Sequence, residues 1–61
     1  MDQEKIGRFI AERRKAKSLT QVALGEKLGV SNKAVSKWER DVSYPDIALF
    51  PRLADILGVT V

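Results

Sequence analysis

The chain has 61 residues, 44% of them hydrophobic, with a net charge of +3 and an isoelectric point of about 9.6. A chain of this length forms one small domain, because it buries only about 60% of the surface that its unfolded form exposes. Cysteine and histidine are both absent, which excludes disulfides, thiolate nucleophiles, imidazole acid–base catalysis and the usual zinc ligands.

A first amphipathic helix is predicted from about Gln3 to Lys15. The segment has no proline and only one glycine, and Ile6, Phe9 and Ile10 recur in it at helical spacing. The basic residues near its end suit the negative pole of the helix dipole.

A second helix is predicted over Gln21 to Leu28. The hydroxyl of Thr20 can accept one of the orphan backbone N–H groups at the start of this helix. Gly29 can adopt the left-handed conformation that ends it. Leu24 lies four residues before Leu28, so these two side chains share the apolar face.

A third helix is predicted in the stretch SNKAVSKWER, with Ser31 as its cap and its end near Arg40 or Asp41. At about 100° per residue, Val35 and Trp38 fall on one side of the helix, which predicts that both belong to the core. The opposite side carries Lys33, Ser36, Lys37 and Arg40. Glu39 falls on the apolar side, where an unpaired carboxylate is unfavourable.

After the loop DVSYPD, a fourth helix is predicted over roughly Ile47 to Leu57. Asp46 can cap it and Gly58 can end it. Pro51 lacks an N–H donor, so we expect irregular or tight turns before it. The residues predicted to face inward are Leu49, Leu53, Ile56 and Leu57.

The second and third predicted helices lie between residues 20 and 40, and only a short connection separates them. Two short helices that cross steeply need a small residue where their backbones approach and a glycine where the chain reverses. Gly25 and Gly29 meet these two needs. The segment therefore has the pattern of a helix-turn-helix.

The residues LTQVALGEKLGVSNKAVSKWER, followed by YPD and LADILGV, resemble the lambda and 434 repressor and Cro family, also called the xenobiotic-response-element-like family. The resemblance covers essentially the whole chain. It implies an all-α fold of four helices, possibly five, with the helix-turn-helix at about residues 20–40. It also implies that residues 1–61 are a single DNA-binding domain, which we expect to be excised from a longer transcriptional regulator.

In this family the second helix of the motif enters the DNA major groove. Carried over by position, the resemblance implies base contacts from Asn32, Lys33 and Lys37. The candidate phosphate contacts are Thr20, Gln21, Ser36 and Arg40. The sequence departs from the family at Asp41, where many members have glycine, so we expect an aspartate in or near the left-handed region.

Arg14 is the expected partner of Glu39. It continues the row of Ile6 and Ile10 along the first helix, so its guanidinium projects from the edge of the core. The resemblance points to the same pair, and a guanidinium matches a carboxylate in bidentate geometry. Removing one partner should cost about 3 kcal/mol if the pair is buried, and under about 1 kcal/mol if it is exposed.

The expected partner of the chain is a double-stranded DNA operator, bound by a homodimer across half-sites about one helical turn apart. Neither a cofactor, a metal ion nor a small-molecule site is expected. No run of residues approaches a membrane span and MDQEKIGRF has no signal-peptide core, so we expect a cytoplasmic protein.

Two alternatives belong to other classes. In the first, the chain is an antitoxin-type or other helical protein-interaction module whose third helix binds an acidic partner. The second, an enzyme, is not expected, because the sequence contains no nucleophile–base arrangement and no metal-ligand set. Lys33 and Lys37 would be only a solvated face if no polyanion bound there. The salt dependence of DNA binding separates these readings.

Overall fold

The computed structural model describes the backbone of residues 3–59 and the side chains of residues 6–59, and every regular element in this part is helical. The α-helices are α1 (Gln3–Ala16), α2 (Gln21–Leu28), α3 (Asn32–Glu39) and α4 (Phe50–Leu57). A single 3₁₀ turn, Ile47–Leu49, precedes α4. The predicted all-α fold is therefore confirmed, with four α-helices between residues 3 and 59.

Side-chain caps fix where α2 and α3 begin. Thr20 Oγ1 accepts a hydrogen bond from the N–H of Ala23 at 3.0 Å, and Ser31 Oγ accepts one from the N–H of Ala34 at 3.2 Å. Each cap satisfies a backbone donor that has no partner within its helix. Both caps are the ones predicted from sequence.

The four α-helices end in the same way. A residue at positive φ follows each of them: Ser18 (58°), Gly29 (76°), Asp41 (59°) and Gly58 (72°). In every case the residue that follows the positive-φ residue donates its backbone N–H to the carbonyl of the residue five positions earlier in the chain. This is the Schellman arrangement. The left-handed aspartate was expected, whereas Ser18 was not, and the backbone conformation of Ser18 costs about 1 kcal/mol relative to glycine.

The start of the last helical segment differs from the prediction. Asp46 Oδ1 accepts the N–H of Ala48 at 3.1 Å, but the capped turn is 3₁₀ rather than α-helical. Pro51 then lies within the first two residues of α4, where its missing N–H removes no helical hydrogen bond. The tight turn expected before Pro51 is confirmed, and the continuous helix from Ile47 is not.

One apolar core joins all four α-helices, and its buried members are Ile10, Leu24, Leu28, Val35, Trp38, Leu53 and Leu57. Leu24 and Val35 are fully enclosed, so α2 and α3 pack directly against each other. Trp38 is 4% exposed, as expected of a core residue. Phe9 is 37% exposed, because α1 turns the row of Ile6 and Ile10 inward and Phe9 lies outside that row.

Gly25 lies where α2 meets the connection to α3. A Cβ atom added there would stand 2.7 Å from the carbonyl oxygen of Val30, a backbone atom that cannot yield without shifting the turn. The packing therefore requires a residue as small as Gly25 at this crossing, as predicted from the sequence.

Changing Gly25 to alanine should lower the free energy of unfolding by about 2 kcal/mol. Alanine gains about 1 kcal/mol of helix propensity, but overpacking against rigid backbone costs up to about 3 kcal/mol. Urea denaturation measures the difference. The control Glu26→Ala, on the exposed side of the same helix, should stay within about 0.5 kcal/mol. A Gly25→Ala variant as stable as the unmodified chain would show that the turn adapts without strain.

Candidate nucleic-acid interface

Helix α3 presents two lysines to solvent. Val35 and Trp38 hold one side of the helix in the core at 0% and 4% exposure, whereas Lys33 and Lys37 are exposed. The two lysines are four residues apart, so they project from one face of the helix. Asn32, the first residue of α3, is also exposed. The three candidate base-contacting residues are thus accessible together on one short helix.

The four candidate phosphate-contacting residues lie near the ends of α2 and α3. Thr20 and Arg40 are exposed, and Gln21 and Ser36 are half-buried. Arg40 is folded back over the end of α3, where its Nε donates to the carbonyl of Ser36 at 3.4 Å. The first backbone N–H groups of α2 point out of the helix beyond Thr20, and such an end attracts anions.

Arg14 and Glu39 form a bidentate ion pair between α1 and α3. The Nε atom of Arg14 donates to Oε2 of Glu39 at 2.6 Å, and its Nη2 donates to Oε1 at 3.0 Å. The side chains are only 11% and 8% exposed. A third donor of Arg14, Nη1, bonds the carbonyl of Leu19 at 2.8 Å. The pairing expected from sequence is therefore present, and it is partly buried, with little of either side chain exposed.

Gln21 is a second partner of the same carboxylate, and no pattern in the sequence indicates this contact. Its Nε2 donates to Oε1 of Glu39 at 3.1 Å. Gln21 opens α2 and Glu39 closes α3, so this carboxylate links α1, α2 and α3. The two residues are 18 positions apart, and only the crossing of the helices reveals the contact.

The surroundings of Glu39 keep it ionised. Burial alone would raise the pKa of this carboxyl, but hydrogen bonds from Arg14 and Gln21, with the charges of Arg14 and Lys15, lower it below its ordinary value. The hydrogen bond to Glu39 likewise raises the pKa of the Arg14 guanidinium. Glu39 is the only acidic residue of α3. Because its charge is paired and turned inward, the outer face of α3 has no negative charge.

This ion pair should make the stability of the domain depend on pH. The pKa of Glu39 is lowered by folding from its ordinary value of 4.5, so the unfolded chain binds the proton more readily than the folded one. The stabilisation is complete above the unfolded value and is lost as pH falls through the folded value. Urea denaturation from pH 7 to pH 3 should show this loss.

Glu39→Gln is the matched control, since it removes the titrating group and keeps the shape of the side chain. Its free energy of unfolding should fall less steeply between pH 5 and pH 3 than that of the unmodified chain. This pH range is the informative one, because an ordinary glutamate titrates at about pH 4. Equal slopes in the two proteins would contradict the contribution of Glu39.

The N-terminal half of α1 adds a cation that sequence reasoning missed. Arg8 lines an open cleft with Glu39, Arg40 and Asp41. A Cβ atom at Gly7 would lie 2.5 Å from the carbonyl oxygen of Trp38, so the glycine allows α1 to approach the end of α3 closely. The N–H of Gly7 donates to Oδ1 of Asp41 at 3.3 Å. Gly7 is the only glycine of α1, and its presence was the one feature of the sequence that indicated a close approach of another element.

The described residues contain neither a metal-ligand cluster nor a membrane-spanning helix. Among the side chains of residues 6–59, no group of three or more His, Cys, Asp and Glu has the arrangement to hold a metal ion. Among the described helices, none has both the length and the apolar character needed to cross a membrane.

Comparison with known proteins gives concordant results. A family model for helix-turn-helix proteins matches residues 10–61. The chain is 44% identical over 46 residues to repressor protein C2 of Salmonella phage P22, a match that covers 75% of this chain and 21% of that protein. It therefore spans about a fifth of the length of this curated relative.

A solved structure is also similar. It is the crystal structure of the P22 c2 repressor protein in complex with synthetic operator 9T in the presence of Tl⁺. The two folds superpose with a TM-score of 0.84 at 38% sequence identity. The match covers 90% of this chain and 83% of the solved one.

Proposed function

This chain belongs to the helix-turn-helix family, and we propose that it binds double-stranded DNA sequence-specifically, as the DNA-binding part of a transcriptional repressor. The observation that carries the proposal is the orientation of α3, which buries Val35 and Trp38 and exposes Lys33 and Lys37. The similarity to a repressor that was crystallised on operator DNA supports it.

In the proposed complex, α3 lies in the major groove and its exposed residues read bases. The groove is about 12 Å wide and shows a distinct donor and acceptor pattern for each base pair. Lys33 and Lys37 supply donors that suit O6 and N7 of guanine, and Asn32 can form a bidentate pair with adenine. These three contacts provide the sequence preference.

Phosphate contacts fix the position of the domain on the duplex. Thr20 and Gln21 meet a phosphate at the start of α2, where side-chain donors and backbone N–H groups converge. Ser36 and Arg40 meet the backbone at the far end of α3. To do so, the guanidinium of Arg40 leaves the carbonyl of Ser36, which it touches only at 3.4 Å in the free protein.

Two copies would bind one operator, because a single small domain makes few base contacts. The domain measures 25 × 24 × 22 Å, and half-sites of this class are spaced by about 34 Å, one helical turn. Two domains therefore fit side by side on one face of the duplex without overlap. Cross-linking or sedimentation of the chain with and without DNA tests the stoichiometry.

The same proposal makes the chain a non-catalytic protein that acts where the chromosome is, in the cytoplasm. It needs no cofactor, since base reading and phosphate contacts use only side-chain and backbone groups of the chain. A purified sample that turned over a substrate would contradict this part of the proposal.

Fluorescence anisotropy with a duplex of about 20 base pairs, two helical turns, tests the proposal. Affinity should fall steeply and linearly with salt on logarithmic axes, because each neutralised phosphate contributes about 0.9 to the slope. Arg40→Gln should reduce the slope by about one such increment. A protein-interaction module of the antitoxin type would bind no duplex at any salt concentration.

A further inference from the structure

The carboxylate of Glu39 does more than pair with Arg14. Its Oε1 accepts hydrogen bonds from Nη2 of Arg14 at 3.0 Å and from Nε2 of Gln21 at 3.1 Å. Because Glu39 is 8% exposed, water does not compete strongly for these bonds. The side-chain amide of Gln21 is thus held from one side by a largely buried acceptor that two bonds from Arg14 fix in place.

The bond leaves Gln21 able to bind an anion. A side-chain amide has two N–H donors, and Glu39 uses one of them. The second N–H and the backbone N–H at the start of α2 remain as donors for a phosphate oxygen. Arg14 offsets the negative charge of Glu39, so the carboxylate beside Gln21 does not repel the phosphate.

Holding Gln21 in place has a measurable benefit. A free glutamine side chain loses rotamer freedom when it is fixed on a ligand, and this entropy loss is comparable with the free energy of one charge-assisted hydrogen bond. A side chain that is already ordered avoids most of that loss. Preorganisation of this kind raises affinity without adding a contact.

We propose that Glu39 is a positioning residue for DNA binding: it orders the amide of Gln21 before DNA arrives, so that α2 and α3 meet the duplex as one unit. The inference rests on the proposed function, in which Gln21 contacts a DNA phosphate. It assigns Glu39 a role in binding in addition to its role in stability.

The test needs a variant that removes the acceptor and leaves the fold intact. Glu39→Met alone would strand the guanidinium of Arg14. The double variant Arg14→Met/Glu39→Met replaces both charges with apolar side chains of similar length, a change that buried ion pairs often tolerate. It also leaves the net charge of the chain unchanged.

Gln21→Ala is then introduced into the unmodified chain and into the double variant, and all four proteins are titrated with the duplex of about 20 base pairs. In the unmodified chain, Gln21→Ala should weaken binding about tenfold. The double variant should also bind about tenfold more weakly, because its Gln21 is no longer ordered. Adding Gln21→Ala to the double variant should change its affinity by less than about twofold.

Two controls separate this role from a loss of stability or charge. The slope of affinity against salt should be equal in all four proteins, since none of the changes alters the net charge. Ile10→Val, which removes a buried methyl group from the apolar core and leaves Gln21, Glu39 and Arg14 unaltered, should lower stability by about 1 kcal/mol and leave the affinity unchanged. Circular dichroism at the binding temperature shows that each protein is folded.

An equal effect of Gln21→Ala in both backgrounds, or no effect in the unmodified chain, would overturn the role of Glu39 and leave DNA binding by α3 intact. Absence of duplex binding by the unmodified chain would overturn both proposals. If the double variant does not fold, ¹⁵N relaxation of the Gln21 side chain decides. Its order parameter should be about 0.8 or higher in the free protein and unchanged on DNA, and a mobile side chain would contradict the proposal.

Discussion

Replacing Arg14 with methionine should cost the domain about 3 kcal/mol of unfolding free energy, because the largely buried carboxylate of Glu39 would lose its charged partner. The two side chains are 11% and 8% exposed, which places the pair much closer to the buried case, where removal of one partner is strongly destabilising, than to the exposed one. A domain of this size has only about 3 to 9 kcal/mol of stability. The variant should therefore be largely unfolded at moderate temperature, and urea denaturation at low temperature measures the loss.

Two further variants show whether the loss comes from the stranded charge. Arg8→Met makes the same change at an exposed arginine of α1 and should cost less than about 0.5 kcal/mol. Arg14→Met/Glu39→Met should recover most of the stability, since no charge remains buried alone. A loss below about 1 kcal/mol for Arg14→Met would mean that the pair behaves as a solvent-exposed one.

Reversing the charge of both exposed lysines of α3, as Lys33→Glu/Lys37→Glu, should weaken DNA binding about a thousandfold. Each lost base contact is worth about 1–3 kcal/mol, and two such contacts correspond to about three orders of magnitude in the dissociation constant. The stability of the domain should hardly change, because both side chains are exposed. Anisotropy titration and urea denaturation measure the two quantities.

The matched control reverses two basic residues elsewhere. Lys17 lies beside Gly58 at the end of α4, and Arg52 is exposed on α4. Lys17→Glu/Arg52→Glu changes the net charge by the same amount and should weaken binding by less than about tenfold, because salt screens distant charges. Equal losses in the two variants would mean that total charge, and not the face of α3, governs binding.

The sequence could predict where α2 and α3 begin and where α2 ends, because the residues that set these boundaries act locally. Thr20 and Ser31 accept backbone N–H groups within their own first turns, and Gly29 adopts the left-handed conformation without steric cost. Burial of Val35 and Trp38 followed from helical periodicity alone. From these residues the sequence could also predict which side of α3 faces outward.

Other features depend on contacts that no local pattern encodes. Ser18 takes a left-handed conformation that its residue type disfavours, in the turn where the chain leaves α1 and Leu19 packs against the core. Phe9 is exposed because the side of α1 that carries Ile6 and Ile10 packs against the core and Phe9 lies outside it. The hydrogen bond between Gln21 and Glu39 needs the crossing of α2 and α3. The DNA contacts assigned to single residues remain predictions from the resemblance.

Base reading by the exposed face of α3 can be measured by selecting bound duplexes from a randomised DNA pool, in parallel with the unmodified chain and with Lys33→Gln. The unmodified chain should enrich a defined sequence, and the variant should change the preferred base at one position while the flanking positions stay the same. Enrichment of no sequence by the unmodified chain, or of the same sequence by both proteins, would contradict base reading by Lys33 in α3.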